Sequence, residues 1–216
     1  MLIKVCGMRN TENIEDVCRL GVNYIGLIFY EKSPRFVEAK DLYPTDIEVI
    51  RKAAAKRVGV FVNADENFIR ERVLKYNLDC VQLHGNETVE FCEKLLKMPA
   101  MNNKQIFKAI NIGTTNDLRQ CADYEGIVDV FVFDTKSKLA GGNGTQFDWN
   151  VLDLYNGNTP YLLSGGIGPD DTWRVSAFVN THKRCAGIDL NSRFETSPAV
   201  KNIEILKQFI TELKNE

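Results

Sequence analysis

Histidine is scarce in this chain: His84 and His182 are the only two among 216 residues. Catalytic zinc draws on histidines or thiolates in a tight cluster, so no transition-metal site is expected. The six cysteines, Cys6, Cys18, Cys80, Cys92, Cys121 and Cys185, include no C-x-x-C pair. That spacing removes the zinc-ribbon and thioredoxin readings. The cysteines are spread along a chain long enough to build a core without staples, which predicts a reducing, cytoplasmic setting. Long apolar runs are missing too. The run from Tyr24 to Tyr30 has Gly26 inside it, whereas a membrane helix needs about 20 apolar residues. Residues 1–7 do not read as a secretory signal. Neither sign of charge dominates: 27 Lys and Arg stand against 29 Asp and Glu, a net charge of −2. No footprint for nucleic acid or an anionic membrane follows from that balance.

What is present is ordinary globular material, 44% hydrophobic and 26% charged, with no linker, low-complexity tract or motif-level repeat. One domain over 1–216 is expected. Short β-branched runs begin near Ile3, Tyr24, Val58, Cys80, Ile106, Ile127, Tyr161 and Ala186. They recur about every 26 residues, close to the repeat of a parallel βα unit. The runs from Tyr24 and from Val128 are nearly continuous in apolar character, as strands covered on both faces are. Between the runs lie stripes at helical spacing: Ile14, Val17, Cys18; Ile69, Val73, Tyr76; Val89, Cys92, Leu96; and Leu206, Phe209, Ile210, Leu213. Ser197-Pro198 and Pro169-Asp170-Asp171 read as helix starts. Residues 98–104 read as a surface loop before the fifth strand. Eight strands alternating with eight helices predict a closed (β/α)8 TIM barrel. The alternative, an open doubly wound sheet, would want a glycine fingerprint after the first strand, and Gly7-Met8-Arg9 is not one.

Barrel chemistry sits at the C-terminal strand ends. After strand one, Cys6 shares a face with Lys4 and is either a small buried filler or a thiol whose ionisation the lysine assists. Lys4 is expected to win over desolvation, making Cys6 the most reactive of the six thiols and the other five inert. After strand two, Arg35 in Ser33-Pro34-Arg35-Phe36 could grip a carboxylate through two parallel hydrogen bonds, or be a surface arginine. On strand four Gln82 and His84 share the inward face, and His84 either orients substrate or is structural. Lys108 on strand five is either a Schiff-base amine or an interior lysine paired to a carboxylate. Asp134 ends strand six, where a general acid would sit, or it caps a loop. The following loop, with Gly141-Gly142-Asn143-Gly144-Thr145, is read as a cover for a ligand, and Gly142 as one of its contacts. It lacks the nucleotide P-loop pattern. Gly165 and Gly166 after strand seven, with Asp189, Asn191 and Ser192 at the end of strand eight, predict a phosphate site built from backbone N–H groups. A tight turn at Gly165-Gly166 is the alternative.

Several of these segments match one family nearly end to end: Ile3-Lys4-Val5-Cys6-Gly7-Met8, Ser33-Pro34-Arg35-Phe36-Val37, Val81-Gln82-Leu83-His84-Gly85, Phe133-Asp134-Thr135, Gly141 to Trp149, and Leu163-Ser164-Gly165-Gly166-Ile167. The chain resembles the phosphoribosylanthranilate isomerases of tryptophan biosynthesis. The resemblance implies an Amadori rearrangement of N-(5-phosphoribosyl)anthranilate to the anilino-deoxyribulose phosphate. It implies Cys6 as general base, Asp134 as general acid and Arg35 as holder of the anthranilate carboxylate. It also implies no metal or organic cofactor, and a small phosphosugar–anthranilate substrate as the partner, on a monomer or homodimer. Two positions depart from the family pattern. Asn143 stands where Thr or Ser is usual, and Asn191-Ser192-Arg193-Phe194-Glu195 replaces a Ser-Ser-Gly or Ser-Gly-Gly segment. Arg193 brings bulk and a cation to the phosphate half of the site. The competing readings are a Schiff-base aldolase using Lys108, the histidine-pathway isomerase, which has an aspartate where Cys6 stands, and a phosphate-ligand binder without turnover.

Overall fold

The computed structural model describes residues 1–38, 43–135 and 147–215. Eight strands, β1 (Leu2–Val5), β2 (Tyr24–Ile28), β3 (Lys56–Phe61), β4 (Cys80–Leu83), β5 (Gln105–Ile112), β6 (Val130–Thr135), β7 (Tyr161–Leu163) and β8 (Cys185–Leu190), pair in sequence order. All neighbours are parallel, and β1 closes on β8 with Lys4 opposite Asp189. The sheet is therefore the closed barrel expected from the spacing of the apolar runs.

Alternation along each strand splits the core in two. On β6, Val130, Val132 and Asp134 face inward, while Phe131 and Phe133 face the helices. The outer layer packs Ile25, Leu83, Phe131 and Phe133 against helical residues such as Ile14, Val73, Leu206 and Phe209. The inner layer contains Tyr24, Val58, Cys80, Phe107, Val130, Val132 and Leu162. It fills the N-terminal part of the barrel with side chains, as barrel interiors require. The inward positions left for chemistry are at the C-terminal end.

Helices α1 (Thr11–Arg19), α2 (Pro44–Arg51), α3 (Glu66–Tyr76), α4 (Val89–Leu96), α5 (Cys121–Tyr124), α6 (Thr172–Thr181) and α7 (Ile203–Asn215) connect the strands. Asn10, Asp65 and Thr88 cap α1, α3 and α4 by accepting from backbone N–H groups three residues on. Four expectations are corrected. Between β6 and β7 the described residues hold a 3-10 segment, Trp149–Leu154, in place of an eighth α-helix. Asn156-Gly157-Asn158 and Pro160 follow immediately and leave no length for a regular helix. Ser197-Pro198 does not start a helix: β9 (Glu195–Ser197) and β10 (Val200–Lys201) form an antiparallel hairpin turning at Pro198 and Ala199, the latter at φ 68°. Ser-Pro serves a turn as well as a cap, and α7 is capped instead by Asn202, whose side chain accepts from Ile205 N at 3.2 Å. On α4 the buried stripe is Cys92 and Leu95, and Leu96 is exposed. Residues 98–104 contain a 3-10 turn, Pro99–Met101, with Met101 buried. Among the described residues no helix is long and apolar enough to cross a membrane.

Candidate active site

Cys6 follows β1 with its sulfur packed at the open end of the barrel. The space for it comes from Gly26 on β2, where a Cβ would lie 2.6 Å from Cys6 Sγ. One layer below, Lys4 is fully buried and its ammonium donates to both oxygens of Asp189, at 3.0 and 2.9 Å. Burial opposes charge on Lys4, but Asp189 and Cys6 outweigh it and raise its pKa above 10.5. Asp189 is pushed up by burial against the pull of Lys4. The expectation for Cys6 is overturned in direction. Burial pushes its thiol above the ordinary value of 9.0, and the assistance from Lys4 does not offset it. The reason is geometric: Asp189 already neutralises the lysine and adds its own negative field at the sulfur. Four of the other thiols are also pushed up by burial, Cys80 and Cys121 to about 12 and Cys92 and Cys185 to about 11. Cys18 on α1 is half-buried and so the more accessible thiol.

Across the mouth, Gln82 on β4 and His84 just beyond it point inward. The Gln82 amide nitrogen is 2.9 Å from His84 Nδ1. An amide nitrogen only donates, so Nδ1 accepts and the imidazole carries its proton on Nε2. That Nε2 lies 3.3 Å from Asp134 Oδ2. The other carboxylate oxygen, Oδ1, accepts from Thr135 N at 2.8 Å. Both oxygens of Asp134 are thus oriented. Gly165, at φ 86°, backs against it: a Cβ there would meet Thr135 Oγ1 at 2.3 Å and Asp134 Oδ1 at 3.0 Å.

Gly165 and Gly166 both take positive φ after β7, at 86° and 71°. Ser192 opens a 3-10 turn, Ser192–Phe194, after β8. These two loops are neighbours, since β7 pairs β8. Arg193 is exposed and lays its guanidinium across Gly168, with Nη2 3.2 Å from where a Cβ would stand. Asn191 turns its Oδ1 toward Lys201 Nζ at 2.8 Å and toward the space above Gly7. Gly142 and its glycine loop lie outside the described residues.

Arg35 is buried, and its guanidinium is already engaged. Nε donates to both oxygens of Glu195, at 2.9 and 3.0 Å, and Nη2 donates to Oε2 at 2.7 Å. Nη1 makes no hydrogen bond among the described residues. Burial acts to raise the Glu195 pKa, but Arg35 and Lys201 outweigh it and hold it below 4.5. Sequence reasoning missed Glu195 and Lys201, although Glu195 stood in a segment already noted for departing from the family pattern. A lone carboxylate and a lone lysine carry no pattern, and their partner Arg35 is 160 residues from Glu195.

Lys108 faces away from the mouth. Its register partners Leu83 and Phe131 both belong to the outer core. Its ammonium donates to Gly85 O at 2.7 Å and pairs with Glu87 at 3.1 Å. It therefore ties β5 to the loop after β4, and a Schiff-base role has no geometry to support it. No group of three or more His, Cys, Asp or Glu among the described residues could hold a metal ion.

Comparison with known proteins agrees with the closed barrel. The family model described as N-(5'phosphoribosyl)anthranilate (PRA) isomerase matches residues 3–212. An N-(5'-phosphoribosyl)anthranilate isomerase of Parabacteroides distasonis is 46% identical over 215 residues, covering 99% of this chain and 93% of the relative. The crystal structure of monomers made from the dimeric phosphoribosylanthranilate isomerase of Thermotoga maritima superposes with a TM-score of 0.81 at 28% identity, covering all of both chains. A second such isomerase, solved with reduced 1-(o-carboxyphenylamino)-1-deoxyribulose 5-phosphate, gives 0.80 at 26% identity, again over all of both chains. With its barrel closed and its candidate acid and thiol at one rim, the chain belongs to the N-(5'-phosphoribosyl)anthranilate isomerase family.

Proposed function

We propose that the protein catalyses the Amadori rearrangement of N-(5-phosphoribosyl)anthranilate in tryptophan biosynthesis, with Asp134 as acid and Cys6 as base. The observation carrying this is that both groups occupy inward positions at the same end of the barrel, each held by its own support. Lys4 and Asp189 lie beneath Cys6, and Gln82 and His84 stand behind Asp134. The proton of Asp134 goes to the furanose ring oxygen as the C1–O bond breaks, leaving an iminium. The Cys6 thiolate takes the proton from C2, and the electron pair of that C–H bond neutralises the iminium to an enolamine. Ketonisation completes the reaction. The protons balance within the enzyme: a thiol with a carboxylate, and a thiolate with a carboxylic acid, hold the same number. Burial holds the Cys6 thiol above its ordinary value, so the thiolate that takes the C2 proton is the minor form of the sulfur at neutral pH.

The anchors in this reading are Arg35 for the carboxylate, and Gly165, Gly166 and Ser192 for the phosphate. Holding both ends places C2 and the ring oxygen between the two catalytic groups. The chain acts as one domain over 1–216, in the cytoplasm, without cofactor or nucleic acid, as a monomer or a homodimer like the Thermotoga protein. Purified protein given freshly made substrate should abolish the anthranilate-type fluorescence. Binding without turnover would leave a ligand-binding protein instead.

A further inference from the structure

Arg35, Glu195 and Lys201 form a buried cluster whose charges do not cancel. The Glu195 side chain is 5% exposed, Arg35 9% and Lys201 0%. Arg35 grips Glu195 through three hydrogen bonds, and Lys201 Nζ reaches Glu195 Oε1 at 2.6 Å. One guanidinium is enough to neutralise one carboxylate. A second buried cation leaves the cluster at a net +1 and adds a desolvation cost that a purely structural pair would avoid. The fold nevertheless takes care to hold that cation. Both backbone groups of Lys201 are clamped by the buried Asn13 on α1, at 2.7 and 2.9 Å, and its ammonium is aimed further by Asn191 Oδ1 at 2.8 Å. Burial pulls the Lys201 pKa below 10.5 while Glu195 pushes back.

We propose that Lys201 is a positioning and specificity residue for the substrate carboxylate: it offsets the charge of Glu195, so that Arg35, held in place by Glu195, still presents net positive charge through Nη1, which makes no hydrogen bond among the described residues. This rests on the assignment of Arg35 to the anthranilate carboxylate. Without Lys201 the tether that aims Arg35 would also silence it, because an arginine paired one-to-one with a buried carboxylate attracts a second carboxylate weakly. Lys201 acts through Glu195 and Arg35 and touches no reacting atom.

The test compares two substrates: phosphoribosylanthranilate, and the phosphoribosyl-aniline that lacks the ring carboxylate. The readout is the ratio of their kcat/KM values, which a general loss of folding or of base strength does not move. Lys201→Gln should lower this carboxylate preference on the order of tenfold, mainly through KM for the carboxylate substrate, and Lys201→Arg should keep it. The double variant Lys201→Gln/Glu195→Gln returns the cluster to +1 and should recover most of the preference. If Lys201→Gln does not fold, the comparison of Glu195→Gln with the double variant serves instead, since removing the lysine in that background must again lower the ratio. An equal fall on both substrates, or no recovery in the double variant, overturns the proposal and places the effect of Lys201 at Cys6 or in the fold. Absence of turnover of either substrate by the unmodified protein would instead overturn the isomerase assignment.

Discussion

The two ends of the barrel interior are built on the same strands by the same alternation, yet they do opposite things. On β4, Cys80 packs at the lower end, and Gln82 and His84 follow at two-residue steps to the mouth. On β6, Val130 and Val132 lead in the same way to Asp134. The lower end is apolar side chain on apolar side chain, with Tyr24 and Phe107 edge to face at 5.5 Å. The upper end carries buried charge and an orphan, Gln82 Oε1, which has no hydrogen-bond partner among the described residues. The lower end supplies stability, while the upper end gives some of it up to hold polar groups where a reaction needs them.

The sharpest way to break this comparison is to remove the proposed acid and base. Asp134→Asn and Cys6→Ala should each lower kcat by about 10²–10⁴, while denaturant unfolding shows stability changed by no more than about 1 kcal/mol. A loss of stability matching the loss of rate would make the upper end structural after all. Phe107→Ala tests the converse. It should cost about 3–5 kcal/mol in the same unfolding experiment, with kcat per folded molecule unchanged.

The pH dependence sharpens the contrast between burial and catalysis. Burial holds the Cys6 thiol above 9.0, so alkylation of Cys6 in the free enzyme should be slow at neutral pH and speed up only above about pH 9. In Asp134→Asn the residual rate should climb about tenfold per pH unit over the same range as thiolate forms. Fast labelling of Cys6 near pH 7 would show that Lys4 does prevail at the sulfur. The smallest effect is expected at Gln82. Gln82→Leu should cost kcat roughly three- to tenfold by freeing the His84 tautomer. Because it removes an unpaired buried oxygen, it should leave the thermal midpoint unchanged or raised, by up to about 1 kcal/mol in stability.

How much of the site was legible depended on how local its causes were. Asp134 and Gly165 were legible because barrel geometry puts function at strand ends, and both stand there. His84 was readable as an inward residue, but its proton position needed the Gln82 contact. Arg35 was legible only as a candidate to grip a carboxylate, with a surface arginine left open, and its tether was not legible at all, since no motif couples Pro34-Arg35 to a hairpin near the other terminus. Lys108 was ambiguous by type alone, and its register against Leu83 and Phe131 decided that it faces outward.

The amino-acid sequence by itself determined the barrel, because nearly continuous apolar runs at a regular βα spacing leave few other ways to bury both faces of eight strands. It also determined which end carries polar inward residues. Only the tertiary structure decided the ionisation of Cys6, which depends on how completely the sulfur is buried and on Asp189 reaching Lys4 first. It alone decided that Ser197-Pro198 turns a hairpin rather than opening a helix, bringing Glu195 and Lys201 to Arg35. Local pattern records what each residue prefers. The balance of desolvation against charge is set by distances between residues far apart in the chain, and those exist only once the barrel has closed.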